Sequence, residues 1–162
     1  MKRILVIAFA LFAVVVWVSV DLIMDIYHDG LKGMKEAQRL ATQATGWKVS
    51  DISRFHGQKL YFILTMQDEN DQLYYVVIDD QKQISYFPYA ELNFDQNEVR
   101  HKLSQEYQSW QIKAIRPAYV NQGMCWEVVA QDEEDRYHYL YYAMKDGQFV
   151  KRYTLENTLR MG

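Results

Sequence analysis

An apolar run near the N-terminus is the longest hydrophobic pattern in the chain. It begins at Ile4, carries no charge before Asp21 and ends at Met24. A helix over these residues would be about 31 Å long, close to the roughly 30 Å hydrocarbon thickness of a bilayer. The run also lacks the polar face that is typical of a helix packed on a soluble core. It predicts a transmembrane anchor over residues 4–24, which includes Ile4, Trp17 and Met24.

The charges beside this run predict its orientation. Lys2 and Arg3 precede it, and no comparable basic cluster follows. Because Lys and Arg favour the cytoplasmic side, we expect residues 1–3 in the cytoplasm and the C-terminal domain outside a single-pass cell-membrane protein. The bilayer is then its first partner. A cleaved signal peptide is the alternative, but it needs a shorter apolar core and a small-x-small site, which Val18-Ser19-Val20 matches poorly.

The positions after residue 24 predict a first unit of one helix and four strands. Residues 25–32 would form a juxtamembrane connector, and Gly30 within it and Gly33 just after it break helix continuity. An apolar stripe predicts a helix over about Met34–Thr45, ended by Gly46. Alternating runs between turn signals predict four strands: Val49–Phe55, Leu60–Met66, Leu73–Ile78 and Gln83–Phe87.

The same order of elements is predicted a second time. Asp95 and Glu98 have the spacing of a capping box and open a helix that runs to about Gln108. A short turn of helix is expected over Thr154–Gly162. The strands between them are Trp110–Tyr119, with a break available at Pro117, Cys125–Ala130, Tyr137–Met144 and Phe149–Tyr153.

These two series form an internal repeat of about 60 residues. Trp47 aligns with Trp110, and Asp68–Asp71 aligns with Asp132–Asp135. Each Trp follows a helix and is expected to cover the core of its unit. The pattern predicts an α+β fold of two tandem helix-on-antiparallel-sheet units, over residues 33–90 and 91–162.

Two strand–turn motifs carry a resemblance to a known family. They are Tyr-Tyr-Val-Val-Ile-Asp-Asp at residues 74–80 and Tyr-Tyr-Ala-Met-Lys-Asp-Gly at residues 141–147. Together with the N-terminal span and the repeat, they make the chain resemble the TseB/YpmB-like proteins of Gram-positive bacteria. The extracytoplasmic part of those proteins is similar to tandem PepSY/cystatin-like domains. Gln81 departs from the pattern, because it stands where the second unit has Gly147.

The resemblance implies a function that composition and periodicity do not. It implies a non-enzymatic regulator of cell-wall peptidoglycan elongation, which contacts a membrane-anchored penicillin-binding transpeptidase. A PepSY-like module that inhibits a protease is an alternative, and an extracytoplasmic wall hydrolase is another. No cofactor and no small-molecule substrate are expected.

The reactive side chains do not form a recognised catalytic or metal-binding motif. Cys125 is the single cysteine, so no internal disulfide is possible, and its apolar neighbours favour a structural core position. The four histidines lack the spacing of metal ligands, and the Glu98/His101 pair has no second copy. The histidines are His28, His56, His101 and His138.

Charge excludes one class of partner and leaves one metal hypothesis. The net charge of −3 argues against nucleic acid as a partner, since that needs clustered Lys and Arg. The acidic turns Asp68–Asp71 and Asp132–Asp135 could offer oxygen ligands to Ca²⁺, but neither has the roughly twelve-residue calcium loop with its central Gly and terminal Glu. Solvated hairpin tips are therefore the favoured interpretation of both turns.

A tyrosine stripe is the remaining candidate for recognition. Tyr137, Tyr139 and Tyr141 lie on one face of a predicted strand, and His138 lies on the opposite face. Exposed tyrosines are typical of recognition surfaces, because they combine a large area with a polar tip. The stripe could instead fill the contact between the two units.

Overall fold

The computed structural model describes residues 14–17, 19 and 30–155. Residues 14–17 and 19 are helical, and Trp17 is exposed there. The predicted cytoplasmic tail, Ile4, Met24, most of the predicted anchor and His28 lie outside the described residues. Within the described ranges no helix is long and apolar enough to cross a bilayer. The anchor and its topology therefore stay predictions.

The first helix, α1, extends further toward the N-terminus than expected. Residues 30–45 are helical, so the prediction that glycines break the helix before Met34 is wrong. Tertiary packing explains the difference, because a Cβ atom at Gly33 would lie 2.8 Å from the ring of Phe62. Glycine lets the helix approach the sheet closely there. The helix ends as predicted at Gly46, which has φ +75°.

The first sheet is an antiparallel meander in the order β1-β2-β3-β4. Helix α1 packs on one face of it, where Ala37 and Ala41 meet Leu64, Met66 and Val76. A 3₁₀ turn, Tyr89–Glu91, follows the last strand. The strands are β1 Lys48–His56, β2 Leu60–Gln67, β3 Leu73–Asp79 and β4 Ile84–Pro88.

The second unit repeats this plan behind helix α2, Gln96–Glu106. The predicted capping box is confirmed, since Asp95 accepts from the backbone of Glu98 and the Glu98 side chain accepts from the backbone of Asp95. The strands pair in the order β5-β6-β7-β8. They are β5 Gln111–Val120, β6 Gly123–Gln131, β7 Tyr137–Ala143 and β8 Phe149–Leu155.

Two details of the second unit differ from the prediction. Pro117 does not break β5, because β5 is an edge strand, where a residue without a backbone N–H is tolerated. Thr154 and Leu155 belong to β8, so a helix beginning at Thr154 is wrong. The rest of that predicted turn, residues 156–162, lies outside the described residues.

The internal repeat is confirmed down to an irregularity in the strands. The first strand of each sheet shifts register at the same place, between Val49 and Asp51 in β1 and between Ile112 and Ala114 in β5. Each shift follows the aligned tryptophan closely. The matching bulges support two copies of one α+β unit, each with a four-stranded antiparallel sheet.

The two sheets pack against each other on the faces that do not carry the helices. Phe55, Ile63 and Val77 of the first sheet share one buried cluster with Ala118 and Cys125 of the second. Each sheet thereby packs on one face against its helix and on part of the other face against its partner sheet. Cys125 is 2% exposed, and burial raises the pKa of its thiol to about 11, which fits the predicted structural role.

Candidate interaction surface

The first sheet covers only part of the second sheet. Strand register sorts the inner face of the second sheet into rows of side chains that lie side by side. One row holds Arg116, Glu127, Tyr141 and Lys151. The two rows beyond it hold Ala114, Val129, Tyr139 and Tyr153, then Gln131, Tyr137 and Leu155.

The exposure of the β7 and β8 side chains increases across these rows. Tyr141 is 6% exposed, Tyr139 is half-buried, and Tyr137 is 40% exposed. On the neighbouring strand Tyr153 and Leu155 are both more than half exposed. We call the uncovered part of this sheet, formed by Tyr137, Tyr139, Tyr153 and Leu155, the open face.

The tyrosine stripe is therefore divided between two roles. The ring of Tyr141 lies edge-on to Phe55 of the first unit, with 6.4 Å between the ring centroids. The prediction that Tyr141 belongs to an exposed partner surface is wrong, and it packs between the units instead. Tyr137 and Tyr139 lie on the open face, where their role in partner binding stays a prediction. The opposite face of β7 is buried under α2, as the alternation required.

A buried carboxylate, Glu127, lies where the open face meets the contact between the two sheets. Glu127 is 4% exposed, and it accepts a hydrogen bond of 2.5 Å from the hydroxyl of Tyr141 and another from Nε of Arg116. Burial raises the pKa of Tyr141, and the hydrogen bond to Glu127 raises it further. The phenol therefore stays a neutral donor to the carboxylate. Sequence patterns did not single out Glu127, although a lone Glu inside the apolar run of β6 is a signal that could indicate this cluster.

Lys151 lies on the other side of Tyr141 from Glu127. Its Nζ atom lies 4.8 Å from the ring centre of Tyr141 and 4.9 Å from that of Tyr153. The same atom donates to the hydroxyl of Tyr153 at 3.2 Å. A cavity of about 370 Å³ lies here, bounded on the first unit by the end of β1 and the turn after it, residues 56–58. The cavity lining thus combines the cations of Arg116 and Lys151 with the rings of Tyr141 and Tyr153.

A second buried carboxylate lies at the turn between β6 and β7. Asp132 is 9% exposed, so its interpretation as a solvated hairpin tip is wrong. Its Oδ2 atom accepts from Nε of Arg136 at 2.7 Å and lies 2.8 Å from Nε2 of His138. Its Oδ1 atom accepts from the backbone N–H groups of Glu134 and Arg136. These donors occupy the oxygens that the calcium hypothesis required.

The environment of Asp132 also lowers its pKa. Burial of the carboxyl raises the pKa, but the hydrogen bonds from His138, Arg136 and Glu134 outweigh that effect and bring it well below its usual range. The imidazole of His138 continues the chain, with Nδ1 3.0 Å from Oγ1 of Thr154. Trp110 stacks on the same ring at 4.0 Å. The cluster ties β8 to the β6–β7 turn.

The other candidates from the sequence lie apart from one another. His101 is exposed on α2, where its ring lies 2.9 Å from the Gln105 amide, while Glu98 is engaged in the helix cap. His56 is the last residue of β1 and lines the cavity. Asp68 organises its own turn by accepting from the backbone of Asn70 and Gln72. Among the residues the structure describes, no group of three or more His, Cys, Asp or Glu could hold a metal ion.

Comparison with known proteins supports the fold. No family model and no curated protein match the chain. The solved structure of the YpmB protein from Bacillus subtilis superimposes with a TM-score of 0.67 at 21% identity, covering 76% of this chain and 98% of that one. A Clostridium difficile 630 protein described as a lipoprotein has a TM-score of 0.34 at 15% identity, covering 80% and 92% of the two chains. The chain therefore has a YpmB-like fold.

Proposed function

We propose that this protein is a membrane-anchored, extracytoplasmic, non-enzymatic binding protein that modulates cell-wall elongation by contacting a penicillin-binding transpeptidase. The sequence resemblance to TseB/YpmB-like proteins suggests this partner, and the YpmB-like fold is compatible with it. The open face is the observation that carries the binding role. It presents Tyr137, Tyr139, Tyr153 and Leu155 on a sheet whose other face is fixed by α2.

The polar groups of the described residues favour binding over chemistry. No buried side-chain nitrogen or oxygen among them lacks a hydrogen-bond partner. Glu127 and Asp132, the buried carboxylates of the second unit, are each held by an arginine and a second side chain. Carboxylates held in this way have a structural role in the sheet. We therefore expect the large aromatic side chains of the open face to bind the partner.

The proposal is tested in the anchored full-length protein with a photo-crosslinker placed at Tyr139. We expect a crosslink to a penicillin-binding transpeptidase, identified by mass spectrometry. Tyr86 of β4 is the control position, because it is 44% exposed but lies on the first unit away from the open face. Equal crosslinking from both positions would contradict the proposal.

A paired substitution adds a quantitative test. Tyr137→Ala with Tyr139→Ala should weaken binding of the transpeptidase by about thirtyfold or more, since interface tyrosines often contribute about 1–2 kcal/mol or more each. Tyr86→Ala should leave it unchanged. Release of muropeptides from peptidoglycan by the purified protein would overturn the proposal in favour of a wall hydrolase.

A further inference from the structure

Strand β8 is an edge strand that borders the open face. It pairs with β7 on one side, and no strand of the described residues pairs with its other side. The backbone groups on that side are available for pairing with another extended chain. From Lys151 to Leu155 its register with β7 is regular, so this part of the edge is straight enough to receive a strand.

Prolines obstruct two of the other three edges. Strands β1, β5 and β8 each carry one bulge, which in β8 lies between Phe149 and Lys151, and β5 also contains Pro117. Strand β4 ends at Pro88 and passes directly into the 3₁₀ turn. Bulges and prolines are the devices by which proteins prevent edge pairing. Strand β8 lacks a proline and exposes Tyr153 and Leu155 by 53% and 56%.

The charges on β8 indicate the chemistry of the chain that would pair with it. Lys151 and Arg152 are adjacent, and the strand has no acidic residue. No carboxylate of the described residues forms an ion pair with either side chain. Their side chains point to opposite faces of the sheet, because neighbours in a strand alternate. The net +2 of this edge contrasts with the −3 of the whole chain.

We propose that β8 binds an extended acidic segment of the partner protein as a fifth strand of the second sheet. Two adjacent carboxylates of that segment lie opposite Lys151 and Arg152, one on each face. In the partner segment, the side chains two and four positions from the carboxylate opposite Lys151 are apolar. They lie against Tyr153 and Leu155 and extend over Tyr139 and Tyr137. This mode of binding rests on the proposed function, since it specifies how the open face recognises its partner.

The charge of β8 favours such a segment over a second copy of this chain. Pairing two β8 strands would place four positive charges at one junction, two from each copy. Like charges that lie opposite each other destabilise a strand pair. If the wild-type protein forms a dimer in solution and the variant Lys151→Glu with Arg152→Glu does not, the assignment of an acidic partner segment is overturned.

The test uses a short synthetic peptide with the central sequence Val-Thr-Val-Glu-Glu and the full-length protein. We expect the peptide to bind and to shift the backbone amide resonances of β8 in preference to those of β4. Lys151→Glu with Arg152→Glu should weaken binding by about tenfold or more. Lys48→Glu with Lys113→Glu is the matched control, since both lysines are exposed on edge strands and the charge change is equal. The control should retain wild-type affinity.

A backbone-modified peptide separates strand addition from simple charge attraction. N-methylation of the amides that face β8 should abolish binding, because those N–H groups donate to the edge. Unchanged binding of the methylated peptide would overturn the proposal. So would equal loss of affinity in the charge-reversed variant and its control. If the charge-reversed variant folds poorly, the neutral variant Lys151→Gln with Arg152→Gln takes its place. It should show a smaller loss of affinity for the peptide than charge reversal would.

Failure here is distinguishable from failure of the proposed function. If the transpeptidase co-purifies equally with wild type and with the charge-reversed variant, strand addition is wrong while the transpeptidase contact stands. If the peptide binds β8 as described but no transpeptidase co-purifies with the wild-type protein, the edge is a binding site and the proposed partner is wrong.

Discussion

At the scale of single residues, two buried carboxylates show how one side-chain type is used differently. Glu127 lies beneath the open face and accepts from a phenol and a guanidinium. Asp132 closes a hairpin and accepts from backbone amides as well as from Arg136 and His138. Removing either set of donors would leave a buried charge without partners, which is strongly unfavourable. Both clusters therefore stabilise the sheet on which the open face lies.

The depressed pKa of Asp132 predicts an acid-dependent loss of stability. An unfolded Asp titrates near pH 4, so the folded protein binds fewer protons at this site than the unfolded chain does. The stabilisation is complete above about pH 5 and is lost as the pH falls toward the folded-state pKa. Asp132→Asn keeps the turn-forming oxygen but has no charge to titrate. We expect its unfolding free energy, measured with urea, to fall less between pH 6 and pH 3 than that of wild type.

Asp146→Asn is the control for this experiment. It also removes one carboxylate from the second unit, in an exposed turn, and it retains Asp132. This variant should keep the wild-type dependence on pH. Identical pH profiles for Asp132→Asn and wild type would show that the carboxylate of Asp132 contributes nothing to acid stability.

Sequence patterns predicted the position of Asp132 but not its environment. Its turn has the same local spacing as that of Asp68, and in each turn the Oδ1 atom of the aspartate accepts from the backbone amides two and four residues further on. The difference comes from Arg136 and His138, which stand where the first unit has Gln72 and Tyr74. Only the folded sheet places those side chains beside the carboxylate, so a local pattern of acidic residues could not distinguish the two turns.

At the scale of elements, glycines mark where helices and turns approach each other. Gly147 lies in the β7–β8 turn at φ +69°, and a Cβ atom there would lie 2.7 Å from the ring of Phe94. The corresponding turn of the first unit places Lys82 at φ 63°. The departure at Gln81 therefore reflects a different turn, which closes between Asp79 and Gln83, whereas the second closes between Ala143 and Gln148. Phe94 lies on the segment that leads into α2.

Two glycine substitutions separate backbone strain from steric conflict. Gly46→Ala meets nothing within 4 Å and should cost about 1 kcal/mol, because it places a side chain at φ +75°. Gly147→Ala adds the overlap with Phe94 and should lower the unfolding free energy by at least about 1 kcal/mol more. Urea unfolding of the two variants measures both effects. Equal losses would mean that Phe94 moves aside freely.

The same residue type explains why one element boundary was misjudged. Glycine weakens an isolated helix, so Gly30 and Gly33 were expected to keep the helix from starting before Met34. In the folded unit, Gly33 instead gives α1 the clearance it needs above Phe62. Packing against the sheet outweighs intrinsic helix propensity at this position. The strands, whose alternation is itself a consequence of packing, were predicted to within a few residues.

At the scale of the whole molecule, the core between the two sheets couples the units. Phe55 is 4% exposed and packs there beside Tyr61 and Tyr141. Phe55→Ala should lower the unfolding free energy by about 3 kcal/mol or more. Because the core is shared, the slowest-exchanging amides of β2 and of β6 should lose protection equally in hydrogen exchange. Loss confined to β2 would show that the units unfold separately.

The tandem order of the units was predictable, but their packing was not. Sequence repetition, the aligned tryptophans and the capping box specify two similar units and their elements. How far one sheet slides over the other depends on the fit of side chains from both, such as Phe55 against Tyr141. That offset decides which tyrosines are buried. The stripe was therefore recognised in the sequence, while its division between core and open face was not.

The partial cover of one sheet by the other has a consequence for how variation in this protein would be tolerated. Two copies stacked in full register would each bury the surface of the other. Because the two sheets are offset, the first unit packs against the second without covering its open face. The residues of the open face can therefore vary without disturbing that packing. Random substitutions should therefore fall into two groups: those near Phe55 and Val77 reduce the amount of folded protein, whereas those at Tyr137, Tyr153 and Leu155 preserve its amount and alter what it binds.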